Sequence, residues 1–357
     1  MPEPVVNLKN LPAAELHRAL APLGVTPGLA RRIQASVLRR GALPFDRSDI
    51  SAARLQRVAA ATRLPELAVL DQVVSPCDGF MRLLLRGDGP ETFESVCIPM
   101  YGGTARARTV VCVSSQAGCG MGCAFCRTAR LGWQRDLATW EIVDQVVRVA
   151  QVAPSPVRGV VFMGMGEAFL NYEAALAAAQ ILSEPSGLAI AARAITFSTV
   201  GVVPAIRRFT AERRPFRLVV SLTSADSERR RQVMPAEAAY PLQELRAALG
   251  DYCAASGERV SLAWTMIAGF NTRPEDARQL ARWIGDLPVR IDLIDVNDPD
   301  GRFVPPDEEE RDAFRDALRR WVRAPVARRY SGGADIGAAC GLLAGGARIG
   351  AAVAEAG

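Results

Sequence analysis

The sequence predicts an α/β fold: a partial (β/α)6 barrel, with a small N-terminal helical domain ahead of it and a C-terminal extension behind. Three observations carry this. From residue 109 onward, short apolar runs alternate with amphipathic stretches of helical period, the pattern of a parallel sheet covered by helices. Six such units occur, too few to close an eight-fold barrel. Ahead of them, the first 75 residues carry helical periodicity. The 357 residues are 49% hydrophobic and 23% charged, which suffices for a large core and excludes a disordered chain.

Residues 1–75 read as a helical accessory module. Leu16, Leu20 and Leu23 form one apolar stripe, Ala30, Ile33 and Val37 another, and Gly24 and Pro27 break the chain between them. Ten Lys and Arg against six Asp and Glu make this segment basic. Residues 76–108 read as a hairpin and linker: FMRLLLRG and ETFESVCIP flank a GDGP turn, and MYGGTARA (100–107) is a glycine-containing loop. Residues 109–324 form the barrel. Its strands are expected at 109–113, 159–163, 194–198, 217–222, 260–266 and 289–295. Its helices are expected at 140–152, 172–181, 203–210, 241–255, 274–284 and 308–322. Sites in such folds lie at the carboxyl ends of the strands. Residues 325–357 form a C-terminal segment whose last dozen residues, rich in Ala and Gly, are expected to fray.

Composition narrows the chemistry. No apolar run reaches 18 residues, so a membrane-spanning helix is not expected. The opening MPEPVVNLKN lacks the basic-then-apolar layout of a secretory signal, and the chain reads as cytoplasmic. Its single histidine, His17, lies in an amphipathic stretch and reads as a surface or packing residue, which leaves little for histidine-based zinc or Ser-His-Asp chemistry. The net charge of +5 is carried by arginine, with Lys9 the only lysine. That bias fits phosphate contacts with RNA, and it equally fits the base composition of the gene.

Eight cysteines occur, at 77, 97, 112, 119, 123, 126, 253 and 340. Cys119, Cys123 and Cys126 form a C-x3-C-x2-C triplet in a glycine-containing loop after the first barrel strand. In a cytosolic chain such clustering points to metal binding or catalysis rather than to a disulfide framework. Structural zinc would need a fourth ligand, from Cys112 or Cys340. A cubane iron–sulfur cluster on three cysteines keeps one iron open to a small molecule. Cys253, in the helical stretch DYCAAS, reads as core, and Cys77 and Cys97 match no chemistry.

The triplet and its flanks resemble the RlmN/Cfr family of radical S-adenosylmethionine (SAM) RNA methyltransferases. The resemblance runs from the N-terminal module to Cys340, through ESVCIP (94–99), CVSSQAGCGMGCAFC (112–126), FMGMGEAFLNY (162–172), FSTVGVVP (197–204), VVSLTSADSERRRQVMP (219–235) and ADIGAACG (334–341). It implies a barrel of radical SAM type and a [4Fe-4S] cluster on Cys119, Cys123 and Cys126. It implies SAM contacts from Gly166, Glu167, Ser198, Ser221, Leu222, Thr223 and Asn297. An adenine carbon, C2 or C8, is not nucleophilic, and the family carries the methyl group on a cysteine first. Cys340 matches that carrier. Cys112 matches the cysteine that releases product through a transient disulfide with Cys340, so the two should lie close together. Glu94 matches the proton acceptor. The implied partners are RNA, 23S ribosomal RNA first and transfer RNA second, and an electron donor such as flavodoxin or ferredoxin.

The sequence departs from the family's pattern in places. Thr223 stands where histidine is usual, Ala236-Glu237 where asparagine is usual, and Ala168 where proline is usual. These departures keep open a small molecule or peptide as substrate. An RNA-binding or zinc-stabilised relative without activity is the reading from a different class.

Overall fold

A computed structural model describes residues 5–101, 107–298 and 300–346. Residues 102–106 of the glycine-containing loop and the tail from 347, including most of the stretch expected to fray, lie outside them.

The N-terminal module is built as its apolar spacing dictates. A short strand β1 (Val6–Asn7) precedes α1 (Ala13–Leu20), α2 (Pro27–Arg40) and α3 (Ala52–Ala61), and β1 pairs in parallel with β2 (Thr62–Arg63). Leu16, Leu20, Ala30, Ile33 and Val37 close a core of their own with Leu55 and Val58. Gly24, at φ +76°, breaks the chain after α1, and the Thr26 hydroxyl caps α2 by accepting from Leu29 N at 3.3 Å. Lys9 pins the module to the rest of the molecule. Its Nζ lies 2.6 Å from Asp144 Oδ1 and 3.0 Å from the Pro65 carbonyl, with both charged side chains fully buried.

A ten-stranded sheet follows. The meander β3 (Ala68–Val74), β4 (Met81–Arg86) and β5 (Thr92–Met100) is antiparallel and joins β6 (Arg108–Cys112). Next come the two-stranded ribbon β7 (Gln116–Gly118) and β8 (Trp133–Asp136), enclosing α4 (Arg127–Arg130). The parallel part runs through α5 (Thr139–Val152), β9 (Val157–Phe162), α6 (Tyr172–Ser183), β10 (Ile195–Thr199), α7 (Val203–Ala211) and β11 (Arg217–Ser221). It continues through α8 (Ser227–Val233), α9 (Ala236–Ala239), α10 (Leu242–Ser256), β12 (Val260–Met266), α11 (Pro274–Ile284), β13 (Val289–Asp295), α12 (Glu308–Trp321) and β14 (Val326–Arg328). Across the sheet the strands lie in chain order, β3-β4-β5-β6-β9-β10-β11-β12-β13-β14.

The six expected strands and six expected helices all form, within a few residues of their expected ends. Two strands differ from expectation. Residues 68–74, assigned to the helical module, form edge strand β3, because β4 offers it an open edge to pair with. Residues 326–328 add a seventh parallel strand beyond β13.

Candidate active site

Strands β9 to β13 of the parallel part end on one cavity. Its wall carries Cys119, Cys123 and Cys126, then Gly166 and Glu167 beyond β9, Ser198 on β10, Ser221 on β11, Asn297 beyond β13, and Cys340. Nine of the thirteen expected site residues thus converge there. Cys112, Glu94, Leu222 and Thr223 do not line it.

The turn after β9 shows why glycine is needed. Gly166 sits at φ +97°, and a Cβ there would meet Gln116 Cβ at 2.6 Å; one on Gly164 would meet the Val113 carbonyl at 2.7 Å. Two glycines let this turn press on residues 113–116 and aim Glu167 inward. Glu167 is buried, and its carboxylate accepts from Phe169 N at 3.1 Å and Val200 N at 2.9 Å. Burial pushes its pKa up to about 7, against those N–H donors and the Thr199 hydroxyl, which favour the ionised form.

The three cysteines are buried or nearly so. Burial pushes Cys119 up to about 12 and raises Cys123 and Cys126 as well, and each thiol of Cys119 and Cys123 is raised further by neighbouring thiols and by Glu167. Three thiolates in such a place need a cationic centre beside them. Among the described residues no group of three or more His, Cys, Asp or Glu is gathered tightly enough for a single metal ion. A cubane instead spreads its thiolates over separate irons. The donor set therefore fits an iron–sulfur cluster better than structural zinc.

Cys340 reaches this wall because its loop is fastened to the cysteine loop. Arg127 N donates to the Gly341 carbonyl at 2.7 Å, and the Thr128 hydroxyl donates to the Leu343 carbonyl at 2.7 Å. Asn297 Nδ2 donates to the Cys340 carbonyl at 3.2 Å, and Cys340 N donates to the Ser331 hydroxyl at 3.0 Å. Burial raises the thiol of Cys112, at the end of β6, and Cys340 is close enough to raise it further. The disulfide that the resemblance implies between them is not formed: all eight cysteines are free thiols.

Glu94 is buried rather than exposed on the hairpin. Its Oε2 accepts from Ala344 N at 2.6 Å and Gly345 N at 3.1 Å, and Arg82 lies 3.4 Å from Oε1. It thus fastens the far side of the Cys340 loop. Leu222 packs in the core and gives its carbonyl to Arg230. Thr223 is buried at φ +60°, its hydroxyl without a partner among the described residues. Thr265 and Asp295 also line the cavity and were missed, although both lie at or near the carboxyl ends of expected strands.

A parallel barrel with three cysteines and a glycine-glutamate turn at the carboxyl ends of its strands defines a radical SAM protein. The Radical SAM superfamily matches residues 113–284. A probable RNA methyltransferase of Myxococcus xanthus (strain DK1622) is 46% identical over 345 residues, covering 95% of this chain and 94% of that protein. A probable dual-specificity RNA methyltransferase RlmN of Moorella thermoacetica is 38% identical over 347 residues, covering 95% and 97%. The crystal structure of a radical SAM methyltransferase from Sphaerobacter thermophilus superposes with a TM-score of 0.86 at 35% identity, covering 95% of this chain and 99% of that one. The chain belongs to the RlmN family of the radical SAM superfamily.

Proposed function

We propose that this protein methylates an adenine carbon, C2 or C8, in RNA, with 23S ribosomal RNA the first substrate to test and transfer RNA the second. The relatives named above as RNA methyltransferases support the RNA substrate. The observation that carries the reading is the fastening of the Cys340 loop to the cysteine loop, which brings a spare thiol onto the same cavity wall as the triplet.

Cys119, Cys123 and Cys126 would hold one [4Fe-4S] cluster. SAM would lie against Gly166, Glu167, Ser198, Ser221 and Asn297, with Leu222 and Thr223 shaping the wall from behind. When bound, these two groups supply the methyl group and the one-electron chemistry that activates it. The protein's own residues do the rest. Glu167 pairs with the SAM ammonium. Cys340 takes the carbon on its sulfur and presents it to the base. The Cys112 thiolate would attack the Cys340 sulfur, the electron pair of the sulfur–carbon bond going to the carbon, which takes up a proton to become the product methyl group, and an external dithiol reductant would return the disulfide to two thiols. Glu94 is the proton acceptor on the resemblance, held meanwhile by the amides of Ala344 and Gly345. The basic N-terminal module would grip RNA phosphates. A flavodoxin or ferredoxin would deliver the electron in the cytoplasm. No helix among the described residues is long and apolar enough to cross a membrane.

Mass spectrometry of nucleosides from cellular RNA, with and without this gene, tests the proposal. Loss of one methyladenosine is expected. An unchanged nucleoside profile favours the small-molecule or peptide alternative, and RNA binding that weakens steeply with salt argues against that alternative.

A further inference from the structure

We propose that the buried Arg230–Glu237 pair is the positioning element of this cofactor site. Arg230 fixes the peptides that present Glu167 and the end of β11, and Glu237 cancels the Arg230 charge behind the cysteine loop. The inference rests on the radical SAM reading of the cavity.

Arg230 lies on α8 with no exposed surface, and its guanidinium is engaged at every nitrogen. Nη1 donates to Glu237 Oε2 at 2.7 Å, Nη2 to the Val200 carbonyl at 2.6 Å, and Nε to the Leu222 carbonyl at 3.2 Å. Val200 is therefore held at both ends, since its N–H is the donor that reaches Glu167 Oε2. Glu237 spends its other oxygen on Leu242 N at 3.1 Å, the start of α10. It faces no cavity. This residue, one of the departures from the family's pattern, is a charge partner inside the protein, with both oxygens engaged.

The pair lies directly behind the triplet. Ala124 N, between two of the cysteines, donates to the Val233 carbonyl of α8 at 2.9 Å. Val233 and Met234 pack against Cys123, with Val200 in the same cluster. Arginine keeps its proton in proteins, so without Glu237 a full positive charge would stand in a low-dielectric layer beside the cluster. Reduction adds one electron to the cluster, so an uncancelled charge there favours the reduced form, and net charge is among the levers that set such potentials.

The test uses the anaerobically reconstituted full chain, with a redox titration followed by electron paramagnetic resonance and a SAM titration on the reduced signal. Glu237→Gln keeps the shape and removes the cancelling charge; a more positive cluster potential is expected. Arg230→Met/Glu237→Leu removes both charges and fills the space. It is expected to keep the wild-type potential while SAM affinity falls tenfold or more, because Val200 loses its clamp. The apolar pair keeps the test open if the single variant fails to fold. An unchanged potential in Glu237→Gln, or wild-type SAM affinity in the double variant, overturns the proposal. Failure of the wild type to assemble a cluster or cleave SAM would instead overturn the radical SAM reading itself.

Discussion

At Cys340 and Cys112 the proposed chemistry depends on two single atoms of sulfur. Cys340→Ala should abolish RNA methylation while iron and sulfide stay at wild-type content; turnover in that variant would end its role as carrier. Cys112→Ala should leave the enzyme covalently bound to its RNA, seen as a shifted band on a denaturing gel. Normal release of methylated RNA would remove Cys112 from the mechanism. Both residues were legible in the sequence only through the family resemblance, since a lone cysteine is usually inert core. The triplet was legible from spacing alone. What the chain could not disclose was contact between distant segments. Glu94 sits in an alternating strand, and nothing local says that residues 344 and 345 will bury it. Arg230 lies in a run of three arginines, and only folding singles it out as the buried one.

Elements were legible in proportion to their pattern. The inner strands read clearly because both faces are buried and apolar, and the helices because one face is. β3 was misread because it is an edge strand, exposed along most of its length, with no alternation to mark it. β14 has three residues, too few to show a period. The β7–β8 ribbon that frames the cysteine loop depends on pairing across 15 or more residues, which no window reads. One tie between elements is open to a pH test. Glu212, at the end of α7, accepts from the Tyr172 hydroxyl of α6 at 2.7 Å and pairs with Arg208 and Arg214. Burial raises its pKa, but these donors outweigh burial and bring it down to about 2 from an ordinary 4.5. A depressed carboxylate contributes stability that is complete above its ordinary pKa and is lost as pH falls through the folded value. Glu212→Gln should therefore cost about 1–3 kcal/mol at pH 7. It should also flatten the loss of stability between roughly pH 4.5 and 2, by urea denaturation. An unchanged acid slope would show that the tie is not stabilising.

For the molecule as a whole, Lys9 joins two cores. The N-terminal module packs around its own apolar residues, and its only lysine reaches Asp144 on the first barrel helix. Asp144 also accepts from Leu67 N at 2.8 Å and pairs with Arg148 at 3.2 Å, so removing the ammonium would leave the buried carboxylate with one cation in place of two. Lys9→Met should cost about 1–3 kcal/mol, since Arg148 still pairs with Asp144, read by denaturation of the cluster-free protein. It should also weaken RNA binding more than SAM cleavage, since the proposed phosphate grip rides on that module. Equal loss of both would place the module's role in the barrel and not in RNA.

All strands of the sheet are complete by residue 328, yet the thiol proposed to ferry the carbon comes at 340 and is tied down by Thr128, Asn297 and Glu94. Domains fold from the N-terminal side during synthesis. The order of synthesis thus places the proposed ferry after every strand of the sheet and after all three proposed iron ligands. On the proposed mechanism, a chain ended between residues 329 and 339 would hold every strand of the sheet and all three proposed iron ligands and yet lack the thiol that hands over the carbon.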